Sequence, residues 1–286
     1  MSGVRFFQPA ACSLPTDIFS KITISPVFQK GRFEMKKVTL CLLALTVVLM
    51  ADSSVMAEKN KNGDMVLPDT ELIDAPTAGI LDYYGFMVKT RFYSGGGVLG
   101  FLNFGVQERL NLGASMTVDS LVGSGSPVKM RKPEIRVKFR FYDGGYYIPA
   151  LAVGYEGQGY YYDPADKKYL EKGRGLYLAG SKEIGVPNLM AHGGFNVSDF
   201  DKNYLFGFIG ASYTLEDKVA FLLEYDNLFH SAEPSRLNAG TRIYITPYFQ
   251  LDLAVREIGQ NGHFDNALQT SRKPERIVQM RYNTNF

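Results

Sequence analysis

The stretch that decides the fold is EIRVKFRF, at residues 134–141. Apolar and charged side chains alternate along it with a period of two, which is typical of a β-strand with two unlike faces. In a bilayer the charged face must point away from lipid, because each Lys or Arg on the lipid face costs about 2–4 kcal/mol near the midplane. The same strand could also form the edge of a soluble sheet, so this stretch alone leaves both possibilities open.

The same alternation recurs from residue 81 to the C-terminus, interrupted by turn residues. It predicts an all-β protein: a transmembrane, antiparallel, up-and-down β-barrel of about twelve strands over residues 81–286. An even number suits a single-chain bacterial barrel with both termini in the periplasm. The predicted strands lie near 81–93, 97–107, 110–119, 133–142, 147–157, 173–183, 188–198, 203–214, 218–228, 236–246, 248–258 and 275–286.

The lengths of the predicted connections also favour a membrane barrel. Short turns alternate with longer loops, as expected for periplasmic turns and outer loops. The first outer connection, at 94–97, is the exception because it is short. The predicted turns are 108–109, 143–146, 184–187, 215–217 and 247, and the longer connections are 120–132, 158–172, 199–202, 229–235 and 259–274.

The N-terminal region is predicted to precede the fold. Residues 35–57 contain a basic start, an apolar run at 38–50 and small residues before a cleavage position between Ala57 and Glu58, which is typical of a secretory signal peptide. Residues 1–34 are interpreted as an extension from a start codon assigned too early. Residues 58–80 form either a flexible periplasmic lead or a small plug.

The last predicted strand ends on an aromatic residue. Tyr282 and Phe286 lie on the same alternating face. A terminal aromatic on such a strand resembles the signal read by the barrel assembly machinery of the outer membrane, which we therefore expect as a partner. The expected location is the bacterial outer membrane, in contact with lipid and lipopolysaccharide.

Composition and histidine spacing argue against several other classes of protein. The 31 basic and 29 acidic residues are nearly balanced, whereas a nucleic-acid binder would normally show a basic excess. Both cysteines precede the predicted cleavage position, and the three histidines lack metal-ligand spacing, so no metal or cofactor is predicted. An outer-membrane lipid hydrolase is disfavoured, because His192 should face the lumen and neither His230 nor His263 has an evident catalytic partner. The chain is predicted not to be an enzyme.

Twelve strands enclose a barrel of roughly 24 Å backbone diameter. Its inward charges could line a narrow polar pore or pair across the lumen and nearly fill it. A tyrosine cluster at 155, 160, 161, 162 and 169 is interpreted as an interfacial girdle in preference to a sugar-stacking surface. The predicted lumen-lining residues are Lys89, Arg91, Glu134, Arg136, Lys138, Arg140, Glu224, Asp226, Arg242, Asp252, Arg256 and Arg281.

Several short motifs resemble those of YjbH-like outer-membrane barrels, which are associated with exopolysaccharide production. They are APTA at 75–78, YG at 84–85, RFYSGG at 91–96, FGV at 104–106, LNLG at 110–113, VKFR at 137–140 and LEYDN at 223–227. The resemblance implies a barrel with a possible glycan partner and offers no catalytic residues. The expected function is a passive pore, or an accessory component in the transport or export of small polar solutes or glycans. The alternatives are a non-conducting structural barrel with a salt-bridged lumen and, less favoured, a lipid hydrolase.

Overall fold

A computed structural model describes the chain over residues 69–123, 128–163, 168–171, 173–198, 204–229, 234–259, 264–265, 270–271 and 273–284. The predicted N-terminal extension, signal peptide and cleavage position lie outside these residues, as do residues 58–68 of the lead. Phe286 also lies outside them.

The predicted twelve-stranded antiparallel barrel is confirmed. Its observed strand bounds differ from the predicted ones by three residues or fewer, except at the first strand, which begins at Phe86 and not at residue 81. Residues 83 and 84 form a turn instead, in which Tyr84 has a left-handed φ of 63°. The strands are β1 Phe86–Tyr93, β2 Gly97–Gln107, β3 Leu110–Asp119, β4 Glu134–Tyr142, β5 Ala150–Glu156, β6 Gly175–Glu183, β7 Leu189–Val197, β8 Phe206–Leu215, β9 Val219–Leu228, β10 Arg236–Tyr244, β11 Phe249–Arg256 and β12 Glu275–Thr284.

The sheet closes on itself. Each strand pairs with the next one along the chain, and β12 pairs with β1, with Phe86 opposite Thr284 and Phe92 opposite Val278. Closure leaves no barrel strand with an unpaired edge, so the backbone hydrogen bonds of the wall are satisfied within it. Among the described residues, no helix is long and apolar enough to cross a membrane.

The connections alternate between the two ends of the barrel, which we name the turn end and the loop end. The turn end carries the connections 108–109, 143–149, 184–188, 216–218 and 245–248, and the loop end carries 94–96, 120–133, 157–174, 198–205, 229–235 and 257–274. The loop 157–174 contains a short hairpin, in which Tyr160–Asp163 pairs with Lys168–Glu171.

Two turns are three residues longer than the sequence indicated, at 143–149 and at 245–248. Strand β5 begins at Ala150, whereas its predicted start lay near residue 147. Pro149 lacks the N–H that a strand position would use in pairing, and Gly144 adopts a left-handed φ of 92°. The connection between β4 and β5 therefore spans 143–149.

The outer wall of the barrel is apolar. On β9, Phe221 and Leu223 are 50% and 51% exposed on the outer face. Leu222 and Glu224, which alternate with them and point inward, are buried. On β4, Ile135 is 61% exposed. A wide apolar surface of this kind is unfavourable in water and suits a lipid environment.

Placing a charge on this wall should destabilise the barrel. For Leu223→Lys we expect a loss of about 2–4 kcal/mol in the free energy of unfolding in lipid vesicles, because the ammonium would face the hydrocarbon. Urea unfolding of the refolded protein measures this loss. Leu223→Ala is the control for lost apolar area, and equal losses in the two variants would contradict the assigned orientation.

Candidate functional site in the barrel lumen

All twelve predicted lumen-lining residues occupy inward positions of the barrel strands. Nine of them are buried, whereas Glu134, Arg136 and Arg140 are partly buried. Arg140 lies near the turn end, where its Nε is 2.8 Å from Asp143. The nine buried residues are Lys89, Arg91, Lys138, Glu224, Asp226, Arg242, Asp252, Arg256 and Arg281. Their role in selectivity stays a prediction.

The lumen is occupied by residues 69–81, which we name the inner segment. This segment contacts inward side chains of seven strands: β1, β4, β6, β9, β10, β11 and β12. Contacts on so many sides place it inside the barrel. For residues 69–80 these contacts favour the interpretation in which the chain folds back as a small plug, and residues 58–68 lie outside the described residues.

The inner segment folds as a tight loop whose two ends both lie at the turn end. The N–H of Leu72 donates to the carbonyl of Ala75 at 2.9 Å, and Glu71 forms an antiparallel bridge with Pro76. Asp69 at one end pairs with Arg242 near the last residues of β10. The other end leads directly into β1. The tip at 73–75 points towards the loop end, where it meets Arg256, the last residue of β11.

Glu224 holds the tip of the inner segment. Its carboxylate accepts hydrogen bonds from three successive backbone N–H groups, of Ile73 at 3.1 Å, Asp74 at 3.0 Å and Ala75 at 2.9 Å. Asn238 donates a further bond to Oε1 at 2.5 Å. Successive N–H groups that converge in this way form an anion-binding concavity. The arrangement satisfies backbone donors that would otherwise be buried without partners.

Glu71 is surrounded by cations of the wall. It pairs with Lys89, with Arg136 at 2.8 Å and with Arg281 at 3.5 Å. Burial alone would raise the pKa of the Glu71 carboxyl, but Lys89, Arg136 and Arg281 together hold it well below its usual range. The carboxylate is therefore charged at neutral pH, which keeps these pairs intact.

Asp74 is the second anionic contact of the tip. It lies 2.6 Å from Arg91 and 2.5 Å from Arg256, and Tyr160 from the loop hairpin donates to it at 3.4 Å. Burial would raise the pKa of Asp74. The neighbouring guanidinium groups, among which Arg256 has the largest effect, hold this pKa far below its usual range. Asp74 thus joins the inner segment to both the wall and the loop end.

The wall also binds backbone carbonyls of the inner segment. Arg242 donates to the carbonyls of Glu71 at 3.2 Å and Leu72 at 3.1 Å, while Arg281 donates to Leu72 at 2.9 Å. Lys138 reaches the carbonyls of residues 77 and 79, each at 3.2 Å. Each cation thereby replaces water at a buried acceptor, and charge-assisted bonds of this kind are stronger than neutral ones.

Apolar contacts complete the fit of the inner segment. Leu72 and Ile73 are fully buried in a cluster with Phe208, Leu222 and other inward residues. Gly210 makes room for this contact, because a Cβ at its position would lie 2.4 Å from Cδ1 of Leu72. A larger residue at 210 would therefore collide with the segment.

Little space remains around the inner segment. A cavity beside Asp74 has a volume of about 50 Å³, and another beside Thr70 has about 20 Å³. A water molecule takes up about 30 Å³ in the liquid. Each of these two cavities is therefore no larger than a few water molecules.

His192 faces the lumen, as its position in the strand predicts. Its Nδ1 is 2.8 Å from Ser181 Oγ and its Nε2 is 3.2 Å from Ser212 Oγ. Ser181 also accepts a bond from the N–H of Ala78 at 2.8 Å, so this group supports the inner segment. His230 and His263 lie outside the described residues. In the part of the chain that is described, no group of three metal-ligating side chains is present.

The tyrosine cluster divides between the two sides of the wall. Tyr155 is 36% exposed on the outer face of β5, which suits an interfacial position. Tyr160 contacts Arg91 and Asp74 inside, and Tyr162 packs edge-on against Tyr169 at a centroid distance of 5.2 Å. The interpretation of the whole cluster as one girdle is therefore wrong for Tyr160, Tyr162 and Tyr169. The side chain of Tyr161 lies outside the described set.

Sequence reasoning missed the carboxylates that face the wall cations. Asp69, Glu71 and Asp74 lie in a stretch without periodicity, so nothing in their spacing marks a contact with the barrel. The excess of inward cations on the strands could have indicated these contacts, because buried cations need anionic partners and the strands alone supply too few.

Neither a protein-family model nor a curated protein sequence matches the chain. Among solved structures, the chain is similar to a KdgM porin, with 10% identity and a TM-score of 0.45 over 69% of this chain and 98% of that one. It is also similar to a structure described as a KdgM porin in complex with disordered oligogalacturonate, with 9% identity, a TM-score of 0.45 and the same coverage. A NanC porin matches with 9% identity and a TM-score of 0.38 over 70% of this chain and 99% of that one.

Proposed function

We propose that the chain forms an outer-membrane passage that its own inner segment closes at rest and that opens when this segment is displaced. The observation that carries the proposal is the set of contacts between the inner segment and seven strands. A segment held only by hydrogen bonds, ion pairs and a small apolar cluster can leave without disrupting the wall, whose strands pair with one another.

The proposed location rests on the wall itself. A closed antiparallel barrel with an apolar outer face and a charged interior suits the outer membrane of a bacterium. Lipid and lipopolysaccharide would contact the outer face, and the barrel assembly machinery would insert the chain. Both partners stay predictions.

The proposed solutes are small anions, including acidic glycans. Without the inner segment, Lys89, Arg91 and Lys138 would have no carboxylate within salt-bridge distance among the described residues. Arg242 and Arg256 would keep Asp252 and Glu275 as partners. The emptied lumen would therefore carry an excess of positive charge, which attracts anions. The association with exopolysaccharide is part of this proposal and is supported by the YjbH-like motifs.

Removing the inner segment tests the proposal. We expect the full-length barrel to be silent in planar bilayers and a variant lacking residues 69–79 to conduct, because the contacts between the inner segment and seven strands are then gone. The matched control lacks residues 58–68, a deletion of the same length that retains the inner segment. Conductance equal in the two variants would contradict the proposal.

The second candidate function is a non-conducting structural barrel. The observation that favours it is the density of ion pairs inside the wall, such as Arg242 with Asp252 at 2.9 Å and Arg174 with Asp226 at 2.7 Å. Arg242 and Arg174 also bind the inner segment, at Asp69 and at the carbonyl of Asp74, but both ion pairs would persist without it and would still occupy part of the lumen. A folded but silent variant lacking residues 69–79 would support this second function.

A further inference from the structure

A separate cavity opens at the loop end, above the tip of the inner segment. Its volume is about 370 Å³, which lies within the range of about 300–1,000 Å³ typical of small-molecule sites. We name it the mouth cavity. Its lining includes Tyr93, Asp119, Arg131, Tyr160, Tyr162 and Tyr169.

Aromatic rings make up much of the mouth cavity. Tyr162 and Tyr169 meet edge to face, and the guanidinium of Arg131 lies 4.9 Å from the centre of the Tyr162 ring. These contacts fix the ring of Tyr162 from two sides. Amphipathic rings of this kind bind ligands that have an apolar face and hydroxyl groups at the edge.

The polar groups of the mouth cavity compensate one another's charge. Asp119 accepts from Arg131 at 2.6 Å and from the Tyr93 hydroxyl at 3.0 Å. Glu275 accepts from Ser94 at 2.5 Å and pairs with Arg256 at 2.6 Å. Among the described lining residues no cation lacks an anionic partner. This balance favours an uncharged ligand over an acidic or basic one.

Tyr160 links the mouth cavity to the inner segment. Its ring lies 4.4 Å from the guanidinium of Arg256, and its hydroxyl contacts Arg91 and Asp74. A ligand that moves Tyr160 would remove one of the contacts that hold Asp74. Binding at the mouth would then weaken the closure below it.

We propose that the mouth cavity binds a neutral sugar unit of a glycan, with Tyr162 and Tyr169 against its apolar face and Asp119 and Arg131 at its hydroxyls. This site differs from the lumen in charge, because the lumen wall favours anions and the mouth does not. Binding here does not require that the barrel conduct, so the inference stands apart from the proposed passage.

Calorimetric titration of the refolded full-length barrel tests the site. The probes are two neutral disaccharides, maltose and cellobiose, and one acidic disaccharide, digalacturonate. We expect saturable binding of at least one neutral probe and a weaker response to digalacturonate. Absence of binding by both neutral probes, or tighter binding of digalacturonate, would overturn the proposal.

Two matched tyrosine variants locate the binding. Tyr162→Ala should raise the dissociation constant of the neutral probe by about fivefold or more, since one aromatic contact is worth about 1 kcal/mol. Tyr155→Ala removes a tyrosine from the lipid face nearby and should leave the dissociation constant unchanged. Equal weakening in both variants would overturn the site. Should Tyr162→Ala fail to fold, Tyr169→Ala provides the same comparison, and the shift of mobility on heating in gels confirms folding.

Discussion

Replacing Glu71 and Asp74 together by lysine should open the barrel to ions. Each substitution removes a buried carboxylate and puts an ammonium group among the cations that the carboxylate had paired with. At position 71 these cations are Lys89, Arg136 and Arg281, and at position 74 they are Arg91 and Arg256. Breaking a buried pair costs about 3–5 kcal/mol, so two losses shift the equilibrium between closed and open states by about four powers of ten or more.

Single-channel recording in planar bilayers measures this effect. The wild-type barrel should be silent, and the double variant should show frequent or permanent openings. The control is Glu108→Lys with Glu183→Lys, which changes the net charge by the same amount at exposed positions near the turn end. A double variant that folds, inserts and stays as silent as this control would show that the carboxylates do not hold the inner segment in place.

The pore that remains after removal of residues 69–79 should prefer chloride over potassium by about tenfold or more, because a cleft with an excess of one charge concentrates the opposite ion. The cations responsible are Lys89, Arg91 and Lys138, which the deletion leaves without carboxylate partners among the described residues. The reversal potential in a salt gradient measures the preference. It should decline as the ionic strength rises, because salt screens the wall.

Neutralising these three residues in the shortened barrel should abolish the preference. The variant is Lys89→Gln, Arg91→Gln and Lys138→Gln together. Its control replaces three exposed lysines, Lys129, Lys132 and Lys218, with glutamine and removes the same charge from the protein surface. An unchanged chloride preference after the inward substitutions would exclude this wall as the selectivity element.

Most of the barrel follows from local pattern. The alternation at 134–141 predicts strand β4, and the structure has it at Glu134–Tyr142 with its charges inward. The period of two identifies both the strand and its inward face, because one residue of slippage would put every charge into lipid. The predicted starts of β1 and β5 were less accurate, because a turn that contains Tyr84 precedes β1 and a turn that contains Gly144 and Pro149 precedes β5.

The content of the lumen does not follow from local pattern. Ile73 binds Glu224 across 151 positions of the chain, and no spacing rule connects a turn in the lead with a carboxylate on β9. The charges on the strands could equally have paired with one another across an empty barrel. Which carboxylate meets which guanidinium depends on the tertiary fold, so the choice between a pore and a filled lumen stayed open at the level of sequence.

The path of the inner segment has a mechanical consequence. Both of its ends lie at the turn end, at Asp69 beside β10 and at residue 81 before β1, so the segment enters as a loop and is not threaded through the barrel. Tension on the upstream chain would therefore break the contacts one after another, beginning with Asp69 and Arg242. Sequential rupture needs much less force than shearing all contacts at once, and the wall stays intact while the loop is withdrawn.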